Sequence, residues 1–527
     1  MKVEDYAATT ESGVGVLNIE GDGDLARVCD EAMFLLIRGQ VPIYQRGGML
    51  VRVVTGGDVS TSRIDRDAGA PRIVAFDDLS LAELMTRHMV IMRRNRKTHE
   101  LVRVDCPRLV AQTLLARKEW DFSHLEAVVE HPVMLQDGSV LWESGYHAAS
   151  GLLLSLPYSA FQAPYDKPSR KDAEDGLQKL RELLGGFDFV ETLDESVAIG
   201  FLLTPFVRPV LNTAPAFAFD AHAAGSGKST LVRTGSVLST GREPAFLTYG
   251  DDPAELRKML FAALLEGDQQ IAIDNVDIPV SGADLAVILT SSVYRGRVLG
   301  QSVNASVPTK AVISMNGNNL QIIGDLTRRV LVSRLDPTCE RPAEREFSFN
   351  PVDEVRSVRS DYVLSALNVM SAYRCSTQGV SVRPFGSFED WSRLVREPLV
   401  WLGMPDPVDS IRVLEESDPE RGQLRSMLKA VNDSVAKRQF KVAELLGHAK
   451  KAQHQAELGS SDVCFDEEKR LGLAEALQAV CERNGELNAR ALGKWLLRMN
   501  GRIEGGIRFV RVRQTSNAAI WQIEVSQ

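Results

Sequence analysis

The hexapeptide Gly225-Ser226-Gly227-Lys228-Ser229-Thr230, set just behind the apolar run 216–220, constrains the fold of this 527-residue chain more than any other stretch. A short apolar strand that gives way to a glycine-bearing loop, with a helix opening near Lys228, aims several backbone N–H groups and the positive end of a helix dipole at one anion. Glycines let the loop curl that tightly. Ala224, Gly225, Ser226, Gly227, Lys228, Ser229 and Thr230 read as a phosphate cradle, with Lys228 reaching the β- and γ-phosphates and Ser229 placing its hydroxyl on Mg²⁺. The complete pattern G-x-x-x-x-G-K-[ST] asks for glycine where His222 stands, so its first half departs from the rule.

Three further strings follow in order. Residues 270–275, Gln-Ile-Ala-Ile-Asp-Asn, form an apolar strand ending in an acid, and Asp274 is the second candidate Mg²⁺ ligand. Residues 310–319 form another strand whose end carries Asn316, Gly317, Asn318 and Asn319. Residues 324–330 put Arg328 and Arg329 just before the last apolar run. Charge developing on a γ-phosphate calls for an inserted guanidinium. From 215 to 337 apolar strand-like runs alternate with helical ones, which predicts a parallel α/β sheet.

The rest of the chain divides around this core. Residues 1–157 read as an α+β region, with a strand at 49–54, a helix at 81–85 and a turn at Asp137-Gly138. The proline-bearing stretch 157–168 reads as a linker, and two amphipathic helices at 171–184 and 191–203 lead into the core domain, 169–345. Residues 346–460 read as a helical region that grows more charged toward Lys450. In 461–527 two helices precede two strands joined at 514–517, the pattern of a winged helix. Arg490, Lys494, Arg498, Arg502, Arg508, Arg511 and Arg513 give it a basic face inside a chain of net charge −9.

Composition sets outer bounds. With 44% hydrophobic and 25% charged residues the chain is an ordinary globular one. The six cysteines form no C-x-x-C pair, which predicts reduced thiols and a cytoplasmic setting rather than a disulfide framework or zinc ribbon. No apolar run approaches the roughly 18 residues of a membrane span. The N-terminal part carries no C-x-x-C zinc ribbon, and no strand-borne paired-carboxylate motif of the D-x-D kind stands out there, so no primase chemistry is expected. The basic run Arg93-Arg94-Asn95-Arg96-Lys97 reads as a single exposed loop.

With these elements in this order, the span from about 211 to 337 resembles the AAA+ core of superfamily 3 type helicases and the helicase part of phage and mobile-element primase-helicases. The strings G-S-G-K-S-T, I-D-N, M-N-G-N-N and D-L-T-R-R carry the resemblance over about a quarter of the chain. It implies a homo-oligomeric ring, a hexamer in such proteins, that hydrolyses ATP with Mg²⁺ at subunit interfaces and draws single-stranded DNA through a pore during replication. It implies a strand order in which 310–319 lies between the loop strand and the acid strand, with Asn316 as sensor 1. Asn275 stands where many AAA+ proteins have a water-polarising Glu, so Asn275, Asp277 or a group elsewhere takes that task. Arg328 or Arg329 becomes an arginine finger supplied to a neighbour. The Gly-turned run 294–301 becomes a pore hairpin whose Arg295 and Arg297, with Lys310, touch DNA phosphates, while Arg490, Lys494, Arg498 and Arg511 touch DNA, duplex being one form open to it, at the winged helix. The alternatives are an ATPase that loads or remodels replication complexes, such as a helicase loader, initiator or defence NTPase, an ATP-dependent DNA-binding regulator, and a small-molecule kinase.

Overall fold

The computed structural model describes residues 15–19, 23–56, 59–60, 65–66, 69–156, 161–298, 304–337, 349–417, 419–435, 438–457, 465–483, 486–514 and 519–525. The chain divides into two compact units: Met1–Leu320 with Arg328–Ile411, and Gln321–Thr327 with Arg412–Gln527.

At the centre of the first unit is a five-stranded parallel sheet in the order Phe246–Thr248, Gln270–Val276, Val312–Asn318, Ala216–Ala221, Val330–Leu335. Its central strands are buried on both faces, which is why they read as continuous apolar runs rather than alternating ones. The strand 312–318 lies between the loop strand and the acid strand. The acid strand's outer neighbour, Phe246–Thr248, is only three residues long and left no signal in the sequence. The apolar runs at 256–265 and 285–289 are helices, Pro253–Glu266 and Ala283–Thr290.

The two helices expected before the core are Arg170–Leu183 and Thr192–Leu203, and the first opens with a reciprocal capping box between Ser169 and Asp172. The helix Pro351–Cys375, expected to open a separate region, packs on this core. Its Ser365 carbonyl would lie 2.7 Å from a Cβ on Gly176, so only glycine permits that approach. The stretch 157–168 is not a free linker in its described part: the Gln162 amide donates to Ser360 Oγ (3.1 Å), and the Arg359 guanidinium lies 5.1 Å from the Phe161 ring centre.

In the N-terminal region Gly15–Ile19 pairs with Met89–Arg94, which pairs with Leu101–Arg103, and a second sheet runs Pro71–Ala75, Met49–Thr55, Tyr44–Arg46, Ser123–His124. Helices Leu25–Arg38, Asp78–His88 and Arg108–Arg117 close a core that includes Leu17, Cys29, Leu36, Met85 and Leu114. This region is joined to the core that holds the parallel sheet. Arg46 Nη2 donates to the Leu264 carbonyl (2.9 Å), and the tight turn at Gly47, whose φ is +59°, abuts Ser306.

The second unit begins earlier than the boundary at 461. Phe440 pairs with Trp521, adding a strand to the sheet Phe440–Lys441, Ala519–Val525, Ile507–Gln514, Ile503–Glu504. Leu424, Met427 and Val431 of the helix Pro419–Val435 share a core with Leu477, Leu492, Leu496 and Phe509. The polar run near Lys450 hid this continuity: it belongs to the helix Val442–Glu457, which still buries Leu445 and Ala449. The strand-joining residues 515–517 lie outside the described residues.

Gly317 is where the sheet tolerates least change. A Cβ there would sit 2.3 Å from the Val276 carbonyl oxygen, a backbone atom that cannot rotate away. Gly317→Ala should therefore destabilise the first unit by about 1–3 kcal/mol or more, read as a lower denaturation midpoint; an unchanged midpoint would contradict this packing.

Candidate nucleotide and nucleic-acid sites

The loop folds as its glycines require. Gly225 and Gly227 take φ of +77° and +95°, and Gly227 is the N-cap of the helix Lys228–Thr240. Lys228 is buried, and its ammonium donates to the Ala223 carbonyl (3.1 Å), Ser226 Oγ (2.8 Å) and Asn318 Oδ1 (2.8 Å). Three donors are thus matched by three neutral acceptors. Burial holds the Lys228 pKa below its ordinary value, opposed by the charges of Asp220 and Asp274. A buried ammonium bound only to neutral oxygens is a site waiting for negative charge.

Ser229 Oγ donates to Asp274 Oδ1 (3.1 Å) and accepts from Asn316 Nδ2 (3.3 Å). The register with strand 312–318 slips between Ile273 and Val276, so Asp274 and Asn275 drop out of that ladder, while Asp274 still pairs with Thr248 on the other side. Asn275 adopts φ +54°, a left-handed conformation that asparagine tolerates better than glutamate, which accounts physically for the missing Glu. Its backbone N–H lies within reach of Asp274 Oδ1 (3.0 Å) and Asn316 Oδ1 (3.1 Å), while its side chain is exposed, as is that of Asp277. A hydroxyl and a carboxylate side by side are the hard oxygen donors that Mg²⁺ accepts alongside waters and phosphates.

Asn316 and Asn318 are two apart on one strand and so face the same side of the sheet. They divide the work: Asn316 braces Ser229 and the bulge, and Asn318 holds Lys228. Asn318 was not singled out from the sequence; the only signal for it was the i, i+2 spacing from Asn316. Where the motif wants its first glycine, His222 Nδ1 lies 3.2 Å from Asp336 Oδ1, both side chains exposed. A cavity of about 590 Å³ runs along Gly225–Thr230 past Phe187, Arg233, Phe349 and Asn350. Ala224 is exposed and is not among its lining residues.

The arginine pair is split. Arg329 is buried, its Nη1 donating to the Ala286 carbonyl and Thr290 Oγ1, so it serves the end of the helix Ala283–Thr290. That placement removes it as a finger and leaves the exposed Arg328.

Val293–Arg297 and Asn304–Pro308 pair as an antiparallel hairpin. Alternation buries Tyr294, whose hydroxyl lies 2.7 Å from Asp284 Oδ1, and presses Gly296 on Phe261, while Arg295 and Arg297 point outward. The intervening Gly300 and Gln301 lie outside the described residues. Lys310 does not join these arginines. Its Nζ donates to the Leu211 carbonyl (3.0 Å) in a small cavity shared with Arg46 and Arg208, and burial there lowers its pKa to about 8, so it is corrected from DNA contact to interior group.

In the second unit Arg490, Lys494 and Arg498, with Arg483 and Trp495, line an open groove of about 520 Å³. Of the basic face, Arg498 and Arg502 pair with Glu420 (3.1 and 2.8 Å) and Arg508 with Glu524 (3.0 Å), exposed pairs of small energetic weight. Arg511 is half-buried on its strand. Among the described residues no helix is long and apolar enough to cross a membrane.

No family model matches the chain, and no curated protein matches it. Among solved structures it is similar to the A-form apo C-terminal region, 305–718, of NrS-1, with 9% identity and a TM-score of 0.42 over 94% of this chain and 99% of that one. It is also similar to the active helicase Cch of SCCmec type IV (12% identity, TM-score 0.30, 92% and 97% covered) and to the JCV helicase (14%, 0.22, 50% and 71%).

The cradle predicts that ATP with Mg²⁺, at a hundred times its Kd, stabilises the protein by about 2.7 kcal/mol, seen as a raised unfolding temperature. Lys228→Ala should remove most of that rise; a rise that survives the substitution would place the nucleotide elsewhere.

Proposed function

We propose that this chain is an ATP-hydrolysing, DNA-translocating helicase of the AAA+ class, working as a ring in the replication of a phage or mobile element. The observation that carries this reading is the hydrogen-bonded set Lys228, Ser229, Asp274, Asn316 and Asn318, gathered by one loop and two strand ends. On this reading the loop N–H groups and the Lys228 ammonium take the β- and γ-phosphates, the lysine exchanging its neutral acceptors for charged ones. Mg²⁺, held through Ser229 and Asp274, supplies charge neutralisation on the transferring phosphoryl group. Asn316 keeps the Ser229 hydroxyl and the bulge in register, and Asn275 or Asp277 orients the attacking water. Exposed Arg328 reaches the γ-phosphate of the next subunit. The outward Arg295 and Arg297 take single-stranded DNA in the pore, and the basic groove of the second unit, read as a winged helix, takes DNA through phosphates.

A second reading keeps the ATPase and gives it a loading or remodelling task without unwinding. The His222 substitution and the Asn at 275 leave that reading standing, because both alter the loop's surroundings and neither touches the DNA-facing groups.

A finger acting in trans makes a specific prediction. Arg328→Ala and Lys228→Ala should each lose about 10³-fold or more in hydrolysis. Mixed subunits should regain a measurable fraction, since a Lys228→Ala subunit lends its arginine to the intact loop of its neighbour. A mixture no more active than either variant would remove the trans role and with it the ring mechanism.

A further inference from the structure

Only part of the basic run at 93–97 is loop: Arg93 and Arg94 end a strand, and Asn95, Arg96 and Lys97 lie in the turn that follows. Met89–Arg94 and Leu101–Arg103 pair as a hairpin with Arg93 opposite Val102, Arg94 opposite Leu101 and Met92 opposite Arg103. Its turn is well tied: the Asn95 amide donates to the Glu100 carbonyl (2.8 Å), the His99 amide to the Asn95 carbonyl (2.9 Å), and Arg94 Nη1 to the His99 carbonyl (3.0 Å). Every residue from 93 to 103 is exposed except Asn95. Five cations stand against one carboxylate over these positions, in a chain of net charge −9.

The register distributes the charge over both faces. Side chains alternate along a strand, so Arg94, Leu101 and Arg103 share one face and Arg93 and Val102 the other, with Lys97 at the tip. Among the described residues Arg93, Lys97 and Arg103 form no ion pair. Leu101 and Val102 are 47% and 37% exposed, so each face offers apolar surface beside its guanidinium groups. Pairing with Gly15–Ile19 reaches Arg93, and the remainder projects past the described end of that strand.

We infer that this hairpin is a separate nucleic-acid-binding arm that lies in a groove of duplex DNA. A two-stranded ribbon fits the major groove. Cations on both faces match a ligand that presents phosphates on two sides, as the walls of a groove do, whereas a single strand or a flat acidic surface would engage one face. The contact is electrostatic and sequence-independent, set by phosphate neutralisation. The inference rests on DNA being the partner of this chain and adds a contact that neither the 293–308 hairpin nor the second unit provides.

The test uses the full chain with Arg93→Ala, Lys97→Ala and Arg103→Ala combined, and measures affinity for a fluorescent duplex and for a single strand between about 50 and 200 mM salt. The arm predicts that the slope of log affinity against log salt for duplex falls by about 2–3 at an unchanged unfolding temperature, with single-strand binding nearly unaltered. A wild-type slope in the variant overturns the arm, and equal losses on duplex and single strand overturn the groove assignment. If the wild-type chain binds no duplex at all, the arm falls too; single-strand binding that persists then leaves the DNA reading standing, and its absence removes that reading as well.

Discussion

A lysine ammonium buried among neutral oxygens organises the core of this protein. Lys228 has the three acceptors its hydrogens need, but none carries charge, and burial lowers its pKa. Desolvating a cation without an anion is unfavourable, and the surrounding geometry makes that cost serve binding. The loop glycines take left-handed φ, and the sheet order sets Asn316 on the strand beside the loop strand and Asp274 on the next one out. A triphosphate would replace the neutral acceptors with anionic oxygens and so pair the ammonium's charge as well as its hydrogens.

The strand ends are shaped to permit this. Gly317 lets strand 312–318 close on Val276, and that approach sets Asn316 and Asn318 on either side of it, facing one way. The bulge at Asp274-Asn275 and the left-handed backbone at Asn275 form the complementary half. Asparagine at 275 suits the left-handed backbone there better than glutamate would. Arg329, by contrast, is consumed by the fold: its guanidinium closes the end of the helix Ala283–Thr290.

Much of this was legible in the sequence, for physical reasons. The apolar runs 216–220, 270–274 and 311–315 are strands buried on both faces, and their order around G-S-G-K-S-T places the loop. What the sequence hid was either short or long-range. Phe246–Thr248 is too brief to carry a period. The division between Arg328 and Arg329, adjacent and identical in type, depends on which one the sheet edge turns inward. Lys310 looked like a neighbour of Arg295 and Arg297, yet it leads into the buried strand Val312–Asn318 and donates to the Leu211 carbonyl. The start of the second unit was missed because the strand at Phe440 pairs with Trp521, 81 positions away. The run at 93–97 read as a loop because its partner strand, Leu101–Arg103, is three residues long and wholly exposed.

The proposal that the Lys228 cradle hydrolyses ATP under the drive of DNA can be tested on the purified chain. The most direct measurement is the rate of ATP hydrolysis by the purified chain with and without single-stranded DNA, compared with Lys228→Ala, while particle mass is read in the same buffer. A DNA-driven ring would show turnover that DNA accelerates and Lys228→Ala abolishes, in particles several times the 58.0 kDa of one chain. DNA-indifferent turnover by a monomer would contradict it.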